Sequence, residues 1–412
     1  MISAVVNESL VKKEPIAVGR PALLRRTNAL TILKLLREAG SCSRADLVRA
    51  SGMSAPTVTN VVADLLAANL IKPLGEGESS GGRPPDMIRF KAERGCILGV
   101  QITAGSISFL LTDLSGEELD RTQVQLAGRK TNPEAICSLI GEELRSLLKK
   151  HKKAREQLLA MVVGVPAITN VEEGIVLSIS TLEDWRSIPL RRLLSKHAGC
   201  LVVIENDTNL SALGERYRGA ARSEPTFVLI DIGANVSAGI VLNGKLHHGS
   251  QWSAGEIAYL RLPSVQRKRP ALHEFGELES VITGPGILAA WKDEVAKSRN
   301  TSLHKQTNAL DVLDLAQSGD PAAGRIILYR AEIVADVIVN LSLVLNPGLI
   351  LLGGEVGRHP ELLSLVKKEL EQSEFAIPRI AAASLGEFAV LWGAIAVALE
   401  AIPPLLLPQS IV

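Results

Sequence analysis

A strand–turn–strand pattern occurs twice in this chain, and it restricts the possible folds more than any other feature of the sequence. Residues 97–100 and 107–111 are apolar runs on either side of the turn Thr103-Ala104-Gly105. Residues 227–232 and 238–242 repeat the arrangement about 130 residues later, around a second turn. Each run has the length and character of a strand, and helical patterns lie between the two copies. The repeat therefore predicts two similar α/β lobes with a cleft between them.

Polar residues end a strand between the two copies. Residues 201–204 are an apolar strand pattern, Asn206 and Asp207 follow it, and residues 210–217 have helical spacing. Ligands of α/β proteins bind where strands end, and an amide beside a carboxylate is suited to grip neighbouring hydroxyl groups. These residues predict a sugar site. The alternative from the same residues is a plain N-cap of the following helix.

The N-terminal part has the spacing of a helix-turn-helix. Residues 28–39, 45–50 and 55–68 form three helical patterns, and Ser43 with Asp46 has the form of an N-cap before the second. The third helix has its valines and leucines on one face, so its small polar side chains are predicted to face away, toward the major groove of DNA. The predicted contacts are Ser54, Ala55, Thr57, Thr59 and Asn60.

A wing is predicted after the third helix. Residues 70–72 and 87–90 have the character of two strands, and the Gly-rich loop that joins them ends in Arg83-Pro84-Pro85. An extended backbone with one guanidinium fits a narrow minor groove, so Arg83 joins the predicted DNA contacts. The wing favours DNA binding over the alternative, a purely structural three-helix bundle.

Charge and length support this division of the chain. Residues 1–90 hold 12 Lys and Arg against 8 Asp and Glu, a net charge of +4, whereas the whole chain carries +1. Only the front end favours an anionic partner. With 412 residues, of which 46% are hydrophobic, the chain can bury more than one core. We expect a flexible tail over residues 1–24, a winged helix-turn-helix over 25–92, one lobe over 93–225 and a second lobe over 226–389, with residues 390–412 returning to the first lobe.

The cysteines and the apolar stretches exclude other classes of protein. Cys42, Cys96, Cys137 and Cys200 are far apart in the sequence, which fits neither a disulfide framework nor a self-contained zinc site and suits a reducing compartment. The most apolar stretch, residues 333–352, is interrupted by polar residues and a proline, so no membrane span is expected. We expect a cytoplasmic protein.

Several short motifs occur in a fixed order between about residues 25 and 400. They are Gly164-Val165-Pro166, Glu205-Asn206-Asp207-Thr208-Asn209, Ala212-Leu213-Gly214-Glu215, Ser253-Ala254-Gly255-Glu256-Ile257, Leu278-Glu279-Ser280, Asn346-Pro347, Gly353-Gly354 and Gly393-Ala394. Because it carries these motifs in this order, the chain resembles the ROK family of repressors, open reading frames and sugar kinases. It resembles in particular the family's regulators with an N-terminal winged helix. The resemblance implies an actin-like, ribonuclease-H-like fold. It also implies a sugar held between the lobes by Asn206, Asp207, Glu256 and Glu279.

Two loops depart from the sugar kinases of that family. The kinases carry an Asp-x-Gly-Gly-Thr turn that serves the nucleotide phosphates, and here that place begins with Gln101 and lacks the carboxylate. Their second phosphate loop, Gly-Thr-Gly-x-Gly, corresponds to residues 233–237, where Cβ atoms stand at positions that need bare backbone. We expect no nucleotide cofactor and no kinase activity. Asp207, at the position of the kinase general base, is expected to accept a hydrogen bond from a sugar hydroxyl.

The zinc ligands of the family are also replaced. The family histidine is Tyr259, which we count among the sugar contacts, and the cysteine positions are Pro270, Leu272 and Glu277. No thiolate is available at these positions, so no metal is expected. Three histidines nearby are interpreted as surface or hydrogen-bonded residues: His247, His248 and His273.

The combined expectation is a regulator and not an enzyme. Its expected partners are operator DNA and a sugar or sugar derivative, and a homodimer or homotetramer is expected. The alternatives are an active sugar kinase with an accessory DNA-binding module, and a scaffold that binds DNA without a ligand. The polar side chains predicted for the cleft disfavour the scaffold, because burying polar groups without a ligand to pair with them costs free energy. A ligand signal is expected to reach the winged helix only through residues 84–93.

Overall fold

The N-terminal part of the chain folds into a winged helix, which we call the head. The computed structural model describes residues 20–76, 85–153, 155–179, 182, 184–266, 276–297 and 308–408. The head consists of α1 (Arg20–Ala39), β1 (Ser41–Ser43), α2 (Arg44–Ser51), α3 (Ala55–Ala67), β2 (Ile71–Glu76) and β3 (Asp86–Phe90). Its strands form an antiparallel sheet in the order β1-β3-β2. The three predicted helices and both wing strands are confirmed, and β1 is a strand that the sequence patterns did not indicate.

The first helix is longer than its apolar spacing suggests. It begins at Arg20 and not at residue 28, so the flexible tail predicted over residues 1–24 is wrong for residues 20–24. Residues 1–19 lie outside the described part of the chain. Pro21 stands in the first turn of α1, where a proline removes no intrahelical hydrogen bond.

Two five-stranded sheets follow the head, and they have the same topology. The first has the order β11-β7-β4-β5-β6 and the second the order β16-β15-β12-β13-β14. In each sheet the first strand along the chain is antiparallel to the second and parallel to the fourth. The strands of the first sheet are β4 (Cys96–Ile102), β5 (Ser106–Asp113), β6 (Glu118–Gln125), β7 (Leu158–Val165) and β11 (Leu201–Asn206). Those of the second are β12 (Phe227–Ile232), β13 (Val236–Leu242), β14 (Lys245–Leu246), β15 (Leu349–Gly353) and β16 (Arg379–Ala382). The predicted repeat is confirmed.

Helices cover each sheet and complete the two lobes. Lobe one contains α4 (Pro133–Lys150), α5 (Leu190–Ala198) and a small sheet of β8 (Thr169–Asn170), β9 (Ile175–Ser178) and β10 (Arg186–Ile188). Lobe two contains α7 (Glu279–Ile282), α8 (Gly284–Lys297), α9 (Ala309–Gln317), α10 (Pro321–Leu345), α11 (Gly354–Gly357) and α12 (Pro360–Leu370). Each lobe has its own buried apolar cluster. Among the described residues, no helix is long and apolar enough to cross a membrane.

Two helices cross from one lobe to the other. The helix α6 (Asp207–Tyr217) follows the last strand of the first sheet and packs against β13 of the second. The helix α13 (Ala389–Ala401) follows the last strand of the second sheet and packs against β4 and β7 of the first. The two helices also pack against each other, and the short helix α14 (Pro403–Leu406) continues from the end of α13. The pair α6 and α13 is therefore the joint between the lobes.

The head shares a hydrophobic core with lobe one and with α13. This core runs from Ile32 and Leu36 of α1 through Leu114 to Leu399 and Ile402. The guanidinium of Arg37 in α1 donates a hydrogen bond of 2.6 Å to the carbonyl of Leu399, 362 residues further along the chain. Residues 84–93, the only route expected for a signal, are therefore not the only connection between the head and the lobes within the described part of the chain. Local spacing gives no information on a contact of such long sequence separation.

Candidate functional site

The predicted sugar contacts Asn206 and Asp207 lie at the start of α6. Asn206 is the N-cap: its Oδ1 accepts the N–H of Asn209 at 3.1 Å, and its Nδ2 donates to the carbonyl of Ala167 at 3.1 Å. Both ends of this amide are engaged within the protein, as the capping alternative predicts. One oxygen of Asp207 accepts the N–H of Thr208 at 2.8 Å. Apart from the N–H of Asp207 itself, no group in the described part of the chain donates to the other oxygen, so Asp207 is the better placed of the two to bind a ligand.

A buried pair behind Asn206 joins the two lobes. Glu205 and His248 lie 2.7 Å apart, with 2% and 4% of their side chains exposed. The second oxygen of Glu205 accepts the N–H of Asn206 at 2.8 Å. The carbonyl of His248 accepts the N–H of Ala254 at 3.1 Å, in the turn that leads to Glu256. The pair therefore fixes the start of α6 relative to the turn that carries Glu256, and His248 is a hydrogen-bonded residue as predicted.

Glu256, Glu279 and Tyr259 lie in lobe two. Burial, together with repulsion from the nearby Glu279, raises the pKa of Glu256 to about 7. Burial also raises the pKa of Glu279, although the N–H groups of Gly276 and Val236, at 3.2 and 3.3 Å, oppose that rise. Tyr259 is half-buried and packs against the core of lobe two. The two glutamates are close enough to repel each other when both are ionised.

Asp231 is a further carboxyl group of the cleft, and the sequence patterns did not single it out. It lies near the end of β12, opposite Ser237 and Gly353. Burial raises its pKa to about 6, partly offset by Arg358. Its place at a strand end is the same signal that indicated Asp207, so the same reasoning applied to β12 would have found it.

The four carboxyl groups form one electrostatic unit, which we call the carboxyl cluster: Asp207, Asp231, Glu256 and Glu279. Burial and repulsion from Asp231 and Glu256 together raise the pKa of Asp207 to about 7, although the N–H groups of Thr208 and of Asp207 itself oppose the rise. The pKa of each member is raised, and the members titrate as a coupled group. Such a cluster offers many acceptors to a ligand that is rich in hydroxyl groups.

The two loops that differ from the phosphate loops of the kinases use their backbone groups in hydrogen bonds within the protein. Thr103 donates its N–H to the carbonyl of Ser106 at 2.9 Å, and its hydroxyl accepts the N–H of Ser106 at 3.1 Å. In the second loop, the N–H of Gly233 donates to the carbonyl of Asn235 at 3.0 Å. The carbonyl of Gly233 accepts the N–H of Gly284 at 2.9 Å. These backbone groups are engaged within the protein.

The positions of the family zinc site are only partly described. Glu277 is buried and Tyr259 half-buried, whereas Pro270, Leu272 and His273 lie outside the described residues. His247 is exposed. Within the described part of the chain, no three His, Cys, Asp or Glu side chains are grouped closely enough to hold a metal ion.

The predicted DNA face lies on α3 of the head. Val58, Val61, Val62 and Leu65 bury one side of α3, and Ala55, Thr59 and Asn60 are exposed on the other. Thr57 is only half-exposed. Its hydroxyl lies 2.8 Å from that of Ser54, which caps the helix by accepting the N–H of Thr57 at 3.4 Å. The hydroxyl of Thr57, a predicted DNA contact, is therefore held against the N-cap residue Ser54. Arg83 lies outside the described residues.

Known proteins resemble the chain in both of its parts. A model of the ROK family matches residues 97–401, and a model of the MarR family matches residues 27–72. A xylose repressor from Caldicellulosiruptor bescii is 24% identical over 93% of this chain and 98% of its own length. A glucokinase from Halalkalibacterium halodurans is 28% identical over 69% of this chain and 87% of its own length. The solved structure of a ROK family transcriptional regulator, a homologue of the Escherichia coli MLC protein, covers 94% of this chain and 99% of its own, at a TM-score of 0.79 and 23% identity.

Proposed function

This chain belongs to the ROK family, and we propose that it is a sugar-responsive DNA-binding transcriptional regulator. The winged helix is the part that binds operator DNA, and the cleft between the lobes is the effector site. The observation that carries the proposal is the single hydrophobic core that joins the head to lobe one and to α13. The xylose repressor supports the same function, because it aligns with nearly the whole chain.

The effector site is built around Asp207. Its second oxygen is available to a sugar hydroxyl, and Glu256 and Glu279 supply further acceptors from the opposite lobe. Asn206 contributes mainly by holding the start of α6, since both ends of its amide are engaged. Tyr259 adds a flat apolar face, which suits a modified or larger sugar. Ligand contacts from both lobes favour one angle between them.

The chain is proposed not to transfer phosphate. Gln101 stands where the family kinases have a carboxylate, and the Gly233 loop engages its own backbone groups. Phosphoryl transfer needs the phosphates held while charge develops, so both changes remove transition-state stabilisation. The glucokinase relative makes a sugar kinase the second candidate function. Phosphorylation of D-xylose or D-glucose by ATP that is abolished by Asp207→Asn would establish that function instead.

The DNA-binding part is tested with a duplex that the full-length protein selects from a random-sequence library. Asn60→Ala should weaken binding to that duplex on the order of tenfold, because an amide on the exposed face of α3 can contact a base edge. The matched control is Asn340→Ala, which changes an exposed asparagine on α10 and should leave DNA affinity unchanged. If no sequence is enriched at low salt, the regulator proposal is wrong.

A further inference from the structure

The helices α6 and α13 behave as one rigid unit. Gly214 of α6 lies so close to α13 that a Cβ there would be 2.1 Å from the carbonyl oxygen of Ala389. The buried carboxylate of Glu215, also on α6, accepts the N–H of Leu385 at 2.7 Å and the hydroxyl of Ser384 at 3.0 Å, just before α13 begins. Such contacts leave no room for one helix to slide on the other. A change at the start of α6 therefore moves α13.

The C-terminal end of α13 binds the head through a backbone carbonyl group. In a continued helix the carbonyl of Leu399 would accept the N–H of residue 403, but that residue is a proline and has none. Arg37 of the head supplies the missing donor at 2.6 Å. Leu399 is buried, so its carbonyl would otherwise lack a partner in an apolar surrounding. The sequence at the end of α13 thus creates an acceptor that Arg37 of the head fills.

We propose that α13 transmits effector binding from the cleft to the DNA-binding head, and that the hydrogen bond from Arg37 to Leu399 is the contact through which the signal leaves α13. The inference rests on the function proposed above and specifies its regulation. Asp207 lies at one end of α6, α6 and α13 move together, and α13 ends on α1. A ligand that favours one lobe angle therefore favours one position of the head.

The first experiment compares two substitutions that each remove one hydrogen bond near the head. Arg37→Met removes the donor to Leu399 and keeps an apolar stem. Lys153→Met removes the bond of 2.7 Å from the Lys153 ammonium to the carbonyl of Glu93, which does not involve α13. The dissociation constant for the selected duplex is measured without sugar and with saturating D-xylose or D-glucose. Arg37→Met should shrink the effect of the sugar roughly 2-fold to 30-fold, and Lys153→Met should preserve it.

An effect of sugar that is equal in the parent and in Arg37→Met overturns the inference while leaving the proposed function intact. If neither sugar changes the DNA affinity of the parent, the result counts against the choice of effector. A ligand-free experiment then decides the inference. A Cβ at Gly99 of β4 would lie 3.1 Å from the carbonyl oxygen of Leu391 and 3.3 Å from the Cβ of Ala394, so Gly99→Ala should push α13 slightly off the first sheet.

The inference requires Gly99→Ala to change the affinity for the selected duplex roughly 2-fold to 30-fold without any sugar. It also requires Arg37→Met to abolish that change in the double variant. No change in Gly99→Ala, or an equal change with and without Arg37, overturns the inference. Both experiments use the full-length protein.

A third variant separates a signalling role from a purely structural one. Pro403→Ala restores an N–H at position 403, which can satisfy the carbonyl of Leu399 in place of Arg37. The double variant Arg37→Met with Pro403→Ala should therefore recover the thermal stability that Arg37→Met alone loses, and should still lack the effect of the sugar or of Gly99→Ala on DNA binding. Recovery of that effect together with stability would show that Arg37 acts only structurally.

Discussion

At the scale of single residues, the carboxyl cluster makes the free energy of unfolding depend on pH. Burial raises the pKa of Asp207 to about 7 in the folded protein, whereas an exposed aspartate in the unfolded chain titrates near 4. Between these two values the folded state binds more protons than the unfolded state, so the free energy of unfolding falls as pH rises from about 4 to about 7. Asp207→Asn should reduce this fall.

The measurement is a series of urea unfolding curves for the parent and the variant across this pH range. Asp231→Asn is a useful companion, because burial raises the pKa of Asp231 only to about 6 and its effect should end at lower pH. Curves for Asp207→Asn with the same pH dependence as the parent would show that Asp207 does not carry the shifted titration.

Residue types and their positions predicted the centre of the candidate site but not its details. The end of a strand identified Asn206 and Asp207, and it also marks Asp231, near the end of β12, which the sequence patterns did not single out. Sequence spacing could not show that the amide of Asn206 is engaged by Ala167, 39 residues away. The half-buried state of Thr57 has a similar cause, since it depends on how the hydroxyl of Ser54 is oriented.

At the scale of secondary-structure elements, the crossing of α6 and α13 depends on glycine. Gly214→Ala would place a Cβ 2.1 Å from the carbonyl oxygen of Ala389, so the helices must separate. We expect the free energy of unfolding to fall by about 1–3 kcal/mol or more, as in other overpacked cores. The matched control is Gly324→Ala in α10, where nothing lies within 4 Å of the added Cβ.

Gly324→Ala should instead raise the free energy of unfolding by about 0.5–1 kcal/mol, because alanine loses less backbone entropy in a helix than glycine does. Both values come from urea unfolding at one pH. If the two alanine variants were equally stable, close packing of α6 on α13 would not be what holds these helices together.

The patterns of the sequence predicted most elements and missed how they are joined. The repeated pattern predicted strands in both sheets, because alternating or continuous apolar runs indicate strands wherever they occur in a chain. The helix α13 is buried on nearly every side, so its pattern shows burial without showing which sheet it covers. Proline 403 was a visible signal that the carbonyl of Leu399 needs another donor, but only the folded chain identifies Arg37 as that donor.

At the scale of the whole molecule, we expect the regulator to bind DNA as a homodimer or a higher oligomer. One α3 of 13 residues presents too short an exposed face to read more than a few base pairs. Useful specificity requires two heads on two half-sites, related by the symmetry of the protein. The selected duplexes should contain a repeated or palindromic motif whose half-sites are separated by about 10 base pairs or a multiple of that spacing.

Light scattering of the free protein and of its complex with the selected duplex gives the number of chains per DNA molecule. Moving the two half-sites apart by about 5 base pairs puts them on opposite faces of the helix and should weaken binding far more than moving them by a full turn. A single chain bound to one half-site, with no dependence on spacing, would contradict the prediction.

If binding depends on the spacing of the half-sites, this dependence also tests how the sugar regulates DNA binding. A change in lobe angle carried by α13 would alter the distance between two heads, so the sugar should change the preferred spacing as well as the affinity.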